Sequence, residues 1–519
     1  MKTLKKALPF RVLISFSASV IQTFPNAGNR THLVQLSPEH KLTTRECPLL
    51  KIWLSLLLLA LPGMACATVQ ATETSGISGT PLQKLQSLTG LLILLGITWA
   101  IGRTFSPRGK VMLRTVVWGI GLQFLFAVLV LYTAPGELFF KAINDGVVTL
   151  LGFSEEGARF LFGDLVKNNV PVGQPMGDPL MGPVVEPTAY AHTGAFFAFS
   201  VLPTIVFFAS LSAVLYYLGI MRWVVEGMAR IMQKTMGTSG AETLSSAANI
   251  FLGQSEAPLM VRPFIPRLTR SEMNAIMVGG FANIASGVLA AYVGMLRGYV
   301  PNIAGHLLAA SIISAPCSLV VAKLMLPEDG NPETSGHVKM KMEREASNVI
   351  DAAARGTMDG LRLALAVGGM LIAVIALVSM LNAMLGWAGG LVGFPSLSFE
   401  WIMGIIMAPL AWLMGVPWAE ANSVGSLLGI KTVLNEFVAY LELANILGSD
   451  PGMLSMRSVI ISAYALCGFA NFGSVAIMIG CLSALAPDRR KDISELGLYA
   501  MVGGTLCSLM TGCVVGALL

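Results

Sequence analysis

The stretch Asn249-Ile250-Phe251-Leu252-Gly253-Gln254-Ser255-Glu256-Ala257-Pro258 sets an amide pair, a hydroxyl and a carboxylate in the middle of an apolar segment running from Gly240 to Arg262. The chain around it is oily: of 519 residues, 54% are hydrophobic and only 12% charged, where a soluble protein carries roughly 25% charged residues. Such a chain crosses a membrane several times. An ionisable group at mid-bilayer costs at least about 2.5 kcal/mol unless it faces protein or water. Half-helices that dip in, turn and return solve this, because their free backbone groups line a cavity. Residues 240–262 therefore read as a re-entrant hairpin with Gln254, Ser255 and Glu256 at its tip; an ordinary core helix with a kink is the plainer alternative.

Charge and special residues narrow the function classes. The net charge of +5 is spread over short loops, which speaks of membrane topology and not of nucleic-acid binding. The seven cysteines form no CxxC, and the five histidines show neither HExxH nor any other ligand spacing, so packing is their expected role. Nothing in the chain reads as a metalloenzyme.

Residues 1–67 read as a leader containing a signal peptide: Lys51, an apolar run from Ile52 to Leu61, then Ala65-Cys66-Ala67. A polar linker follows (68–82). Spans are expected at 85–102 and 111–134, joined by Arg103, Arg108, Lys110 and Arg114 on the cytoplasmic side. Residues 139–165 have the spacing of a surface helix. Span three is expected at 194–220, span four at 271–296 and span five at 304–326. A charged cytoplasmic loop with a surface helix occupies 327–359, span six 361–386, span seven 455–483 and span eight 494–517. Arg262, Arg267 and Arg270 mark the first hairpin's exit as cytoplasmic. Residues 387–430 hold no Lys or Arg, so that side is external. The fold class is an all-α polytopic membrane protein of eight transmembrane helices plus two re-entrant hairpins.

An internal echo supports two halves. Gly280-Phe281-Ala282-Asn283-Ile284-Ala285-Ser286 in span four matches Gly468-Phe469-Ala470-Asn471-Phe472-Gly473-Ser474 in span seven. Each follows a polar-interrupted element opening with Leu-Gly, the first at Leu252-Gly253, the second at Leu428-Gly429 and continuing to Asn435-Glu436. One element enters from the cytoplasm and the other from outside. Inverted repeats with interrupted helices are the usual build of secondary transporters, with the site where the broken pieces meet.

A broken helix leaves unpaired C=O groups at one stump and N–H groups at the other. Carbonyls at Leu252 and Ile284, with the side chains of Asn249 and Asn283, offer oxygen ligands suited to a hard cation such as Na⁺; capping of a span is the other reading of Asn283. Glu256 and Glu436 suit hydroxyl donors of a polyol, or coupling protons. Gln254 and Asn471 each offer donor and acceptor, Ser255 and Ser474 are adaptable, and Val288 and Phe469 suit an apolar wall. This lining fits a small neutral polar solute. Lys431 is expected to neutralise a carboxylate or a backbone stump. For each polar residue, helix–helix hydrogen bonding is the plainer role.

These motifs resemble the concentrative nucleoside transporter family. Gly253-Gln254-Ser255-Glu256-Ala257-Pro258 with Arg262-Pro263, and Gly429-Ile430-Lys431-Thr432-Val433-Leu434-Asn435-Glu436-Phe437-Val438-Ala439-Tyr440, carry the likeness, which covers roughly residues 84–519. The resemblance implies a homotrimer that imports nucleosides with a cation by elevator-type alternating access. Its scaffold (83–236 and 327–398) would hold spans one, two, three and six. A transport domain (237–326 and 399–519) would hold the hairpins and spans four, five, seven and eight. The resemblance further implies that Gln254, Ser255 and Glu256 hold the base, that Glu436, Asn471 and Ser474 bind ribose, that Val288 and Phe469 shape the base pocket, and that Na⁺ sits among Asn249, Leu252, Asn283 and Ile284. The chain departs from the family at Asn283, where a hydroxyl residue is usual, in the Ser286-Gly287 order, and at Gly473; these departures bear on the cation, the base and the ribose contacts.

The expectation is a Na⁺-coupled importer of purine or pyrimidine nucleosides in a bacterial inner membrane, with the mature N-terminus and the C-terminus periplasmic and no cofactor besides the coupling ion. A proton-coupled symporter is the alternative. An intramembrane enzyme is disfavoured because no Ser–His or Asp–Asp constellation appears, and a passive channel because no span has a continuous polar face.

Overall fold

A computed structural model describes residues 79–519 apart from 107–108, 168, 177–183, 193–196, 335–345 and 392. The expected leader and signal peptide (1–67), and the linker up to residue 78, lie outside the described residues. The first helix, α1 (Pro81–Phe105), starts at a capping box: Thr80 Oγ1 accepts from the Gln83 amide at 3.3 Å, while the Gln83 side chain accepts from the Thr80 amide at 2.9 Å. Then come α2 (Leu113–Tyr132), α3 (Ala134–Phe162), α4 (Leu202–Tyr217) and α5 (Ile220–Met236). Between α3 and α4 lies an antiparallel ribbon of β1 (Asn169–Met176) and β2 (Val184–His192). The all-α expectation holds for the rest of the described residues, and this ribbon is the exception to it. Both segments mix Val with Pro, which disfavours helix and suits two strands that are each an edge.

The remainder is built of interrupted helices. α6 (Gly240–Ala248) gives way to turns and a 3₁₀ stretch, Ala257–Arg267; Pro258, Pro263 and Pro266 forbid a regular α-helix there. Span four is two helices, α7 (Arg270–Ala282) and α8 (Ser286–Leu296), followed by α9 (Ile303–Met325). The expected surface helix and span six form one continuous helix, α10 (Val349–Leu391), because no proline separates them. Next, α11 (Phe399–Leu413) and α12 (Trp418–Val433) meet at 116°, so the region from 399 where the second hairpin is expected opens with two helices bent sharply against each other. α13 (Glu436–Ser449), α14 (Met456–Leu466), α15 (Phe472–Leu485) and α16 (Arg490–Leu518) complete the chain. Among the described residues, seven helices are long and apolar enough to cross a membrane, eight if the bent pair counts as one span.

Hydrogen bonds show how the interrupted pieces close. Ser239, which caps α6, donates through Oγ to Glu272 Oε1 at 2.6 Å, in the first turn of α7. The chain from 240 to 267 thus returns to where it began. The second half repeats the closure: Ser455, the cap of α14, donates to Glu420 Oε2 at 2.9 Å, in the first turn of α12. Small residues set the close packing elsewhere. A Cβ at Gly356 of α10 would lie 2.7 Å from the Ala209 carbonyl oxygen of α4, and Ser210 donates to the Ala353 carbonyl at 3.0 Å. α1 lies against a different partner: Ser87 donates to the Met414 carbonyl at 2.9 Å and Lys84 to that of Leu518 at 3.1 Å.

Candidate functional site

The two repeat motifs touch. A Cβ at Gly468 would stand 2.8 Å from the Phe281 carbonyl oxygen and 3.0 Å from that of Ala282. The breaks of spans four and seven therefore lie back to back, and the chain segments beside them converge on the same place.

The carboxylate of Glu436 is fixed from two sides. Glu436 opens α13, where the unpaired N–H groups favour negative charge. Its Oε1 accepts from Tyr292 Oη at 3.1 Å and its Oε2 from Asn471 Nδ2 at 2.8 Å. Asn471 also caps α15, its Oδ1 accepting from the Ser474 amide at 2.8 Å. The structure brings Glu436, Asn471 and Ser474 together, and all three are buried. Phe469 lies half-buried two residues before the cap.

The turns that follow α6 rest on the break between α7 and α8 and on α15. The Ser286 amide, opening α8, donates to the Phe251 carbonyl at 3.1 Å. Gln254 packs on Gly280, where a Cβ would come within 3.1 Å of the Gln254 Cβ. Cys481 Sγ of α15 donates to the Ser255 carbonyl at 3.3 Å. Glu256 accepts from the Gly253 amide at 3.3 Å and its residue is exposed. Val288 is buried in the first turn of α8. Gln254 is buried, and its Oε1 has no hydrogen-bond partner.

The expected cation ligands sit at two helix stumps. Asn249 follows α6 and donates through Nδ2 to the Ser245 carbonyl at 3.1 Å; Asn283 follows α7 and donates to the Gly279 carbonyl at 3.3 Å. Each amide thus satisfies a carbonyl of its own helix end and turns its oxygen away. The buried Asn249 Oδ1 is unpaired, while Asn283 Oδ1 accepts from the Ser314 hydroxyl of α9. A Cβ at Gly279 would lie 3.4 Å from Asn249 Nδ2, which puts the two asparagines on either side of one glycine. Leu252 and Ile284 are buried in the non-helical links beside them. Lys431, wholly buried, donates to the Ala465 carbonyl at 2.9 Å and to Ser508 Oγ at 3.0 Å. Of its two expected roles it fills the backbone one, at the stump of α14.

Comparison with known proteins fits this arrangement. The profile described as "Na+ dependent nucleoside transporter C-terminus" matches residues 306–516, its N-terminal counterpart matches 89–165, and one described as "Nucleoside recognition" matches 198–298. The uncharacterized transporter YutK of Bacillus subtilis is 42% identical over 431 residues, covering 83% of this chain and 98% of that protein. CNTnw, solved in an inward-facing substrate-bound state, superposes with a TM-score of 0.72 at 41% identity, covering 83% of this chain and 97% of that one. The chain belongs to the concentrative nucleoside transporter family. Solute carrier family 28 member 3 of mouse is 38% identical over 497 residues; the match covers 93% of this chain and 65% of the mouse protein's length. The relatives of this family member are transporters, not enzymes, and the chain is a multi-pass membrane protein with them.

Two residues of the site escape sequence reasoning. Tyr292 reads as one more apolar-face aromatic of α8, and Ser314 as a small residue of α9. Only the fold shows that each hydroxyl is bound to an expected site residue.

Proposed function

We propose that the chain is a secondary active importer of nucleosides, coupled to Na⁺. The observation that carries this reading is that the polar tips of both hairpins lie along one helix. Ser255 of the first accepts from Cys481 of α15, and Glu436 of the second accepts from Asn471, the cap of that same helix. Gln254, Ser255 and Glu256 would face the base, Glu436, Asn471 and Ser474 the ribose hydroxyls, and Val288 and Phe469 the apolar flanks. Na⁺ would sit between the two asparagine stumps, with Asn249 Oδ1, Asn283 Oδ1 and the carbonyls of Leu252 and Ile284 as oxygen ligands. The unpaired Asn249 oxygen supports this, since a buried acceptor without a donor costs about 1–3 kcal/mol.

Both interrupted segments act as re-entrant hairpins, and their closures at Ser239–Glu272 and Glu420–Ser455 support it. Alternating access is elevator-like, with spans one, two, three and six as the scaffold and the hairpins with spans four, five, seven and eight as the moving body. Hydrogen bonds from Ser87 and Lys84 join α1 to the ends of α11 and α16, a contact of the scaffold with the moving body, and Gly356 packs α10 against α4 within the scaffold. The Gly79 amide donates to the Leu519 carbonyl at 2.8 Å, which supports placing the start of α1 and the C-terminus on one face, the periplasmic one, of a bacterial inner membrane. The proposed assembly is a homotrimer, on the strength of the family resemblance.

Uptake of radiolabelled uridine and adenosine into proteoliposomes, with and without a Na⁺ gradient at fixed pH, tests the reading. Stimulation by Na⁺ and loss of uptake in Glu256→Gln are expected. Uptake that follows a proton gradient at constant Na⁺ would replace this coupling by the proton-driven one, and unchanged uptake by Glu256→Gln would remove the site assignment.

A further inference from the structure

We infer that Tyr292 is the positioning residue for Glu436 and thereby sets how strictly this transporter demands a complete set of sugar hydroxyls. The inference rests on the proposed role of Glu436 at the ribose. An ionised carboxylate offers about four lone-pair sites. Tyr292 Oη occupies one on Oε1 at 3.1 Å and Asn471 Nδ2 one on Oε2 at 2.8 Å. At most two sites remain beside the residue's own amide N–H, and their directions are fixed, because a carboxylate gripped through both oxygens no longer turns about its last torsion, which is otherwise soft.

Tyr292 is itself immobilised. Its side chain is wholly buried, stacked on Tyr440 with ring centroids 4.3 Å apart and edge-on to Phe437 at 5.4 Å. Tyr440 is pinned in turn, its hydroxyl donating to the Ala463 carbonyl at 2.6 Å. Tyr292 is carried by α8, behind the break of span four, whereas Glu436 opens α13 at the tip of the second hairpin. The hydrogen bond therefore couples the orientation of a ribose-facing group to the placement of the first repeat. A guest whose hydroxyls meet the remaining sites satisfies them; one lacking such a hydroxyl leaves a lone pair of a buried carboxylate unmatched. Without the tyrosine hydroxyl, Glu436 is free to re-aim its spare oxygen, and the difference between the two guests shrinks.

The test compares uridine, 2′-deoxyuridine and 3′-deoxyuridine uptake by the full chain in proteoliposomes, for wild type, Tyr292→Phe, Tyr440→Phe and Glu436→Gln. Tyr292→Phe is expected to raise KM for uridine with little change in maximal rate, narrowing the uridine-to-deoxyuridine KM ratio by about tenfold, the scale of one hydrogen bond to a charged group. Tyr440→Phe, which removes an adjacent buried hydroxyl bonded only to backbone, should leave that ratio at the wild-type value. If Glu436→Gln narrows the ratio while Tyr292→Phe does not, the inference is overturned and the ribose site stands. If Glu436→Gln discriminates as wild type does, the ribose reading itself falls. Equal shifts in Tyr292→Phe and Tyr440→Phe, or a Tyr292→Phe protein that no longer purifies as a monodisperse species, would assign the hydroxyl to packing and overturn the inference.

Discussion

Gly468 of the second repeat is pressed against the Phe281 carbonyl of the first, with a φ of +155° and room for no side chain: an added Cβ would also lie 2.9 Å from Ser508 Oγ. Gly468→Ala is therefore expected to lower stability by about 2 kcal/mol or more, through strain and a clash with backbone that has no freedom to yield. Thermal unfolding of the detergent-purified protein, followed by loss of the monodisperse peak, measures it.

The first turn of α6 is riveted by a buried ion pair, Lys323 Nζ to Glu242 Oε2 at 2.7 Å, with Glu328 Oε2 at 3.1 Å and Ser271 Oγ at 2.9 Å on the same ammonium. Removing the cation alone strands carboxylates in the interior, so Lys323→Met should cost about 3–5 kcal/mol, and adding Glu242→Gln to it should recover part of the loss. A double-mutant cycle in melting temperature checks both statements. Additive losses would mean that the pair does not act as one unit.

Lys431 poses the opposite case, a buried ammonium held by a carbonyl and a hydroxyl. Lys431→Met leaves the Ala465 carbonyl and the Ser508 hydroxyl one donor short, an expected loss of about 1–3 kcal/mol. Arginine should not restore it, because the enclosed site was built around a compact head group and not a planar fork. Comparing the melting temperatures of the Met and Arg variants decides the point.

At the proposed Na⁺ site, Asn249→Leu deletes the unpaired buried oxygen. The Na⁺ concentration for half-maximal uptake is expected to rise at least about tenfold, corresponding to about 1.4 kcal/mol of lost ligation. Ser314→Ala, which frees Asn283 Oδ1 from its hydroxyl partner, should shift it by a smaller factor. Uridine uptake titrated with Na⁺ at constant ionic strength reads both.

The sequence carries more of the site than of the frame around it. The GFAN repeats announce the breaks of spans four and seven because an Asn or Gly in apolar text has few other uses, and the structure makes Asn471 a cap and places Asn283 just past the end of α7. Charge carries no such signal for continuity. Asp351, Arg355, Asp359 and Arg362 look like a surface helix, yet nothing between them and span six ends a helix, and α10 runs through. The β1–β2 ribbon is illegible for a different reason: its residues have neither the length nor the period of a helix, and its pairing depends on partners across a turn. Tyr292 was hidden because a tyrosine on a buried face looks the same whether its hydroxyl meets a carbonyl or a carboxylate.

At about 1.5 Å per residue, the 43 residues of α10 reach some 65 Å, more than twice the roughly 30 Å of hydrocarbon. Its opening turns carry their own ion pairs, Arg355 to Asp351 at 3.1 Å and Arg362 to Asp359 at 3.5 Å, and so are furnished to stand in water. A mast that overshoots the oil at its foot is not gauged by bilayer thickness. In thinner or thicker lipid it leans instead of being squeezed, and the wall it makes with α4 keeps its shape whatever membrane the protein is reconstituted in.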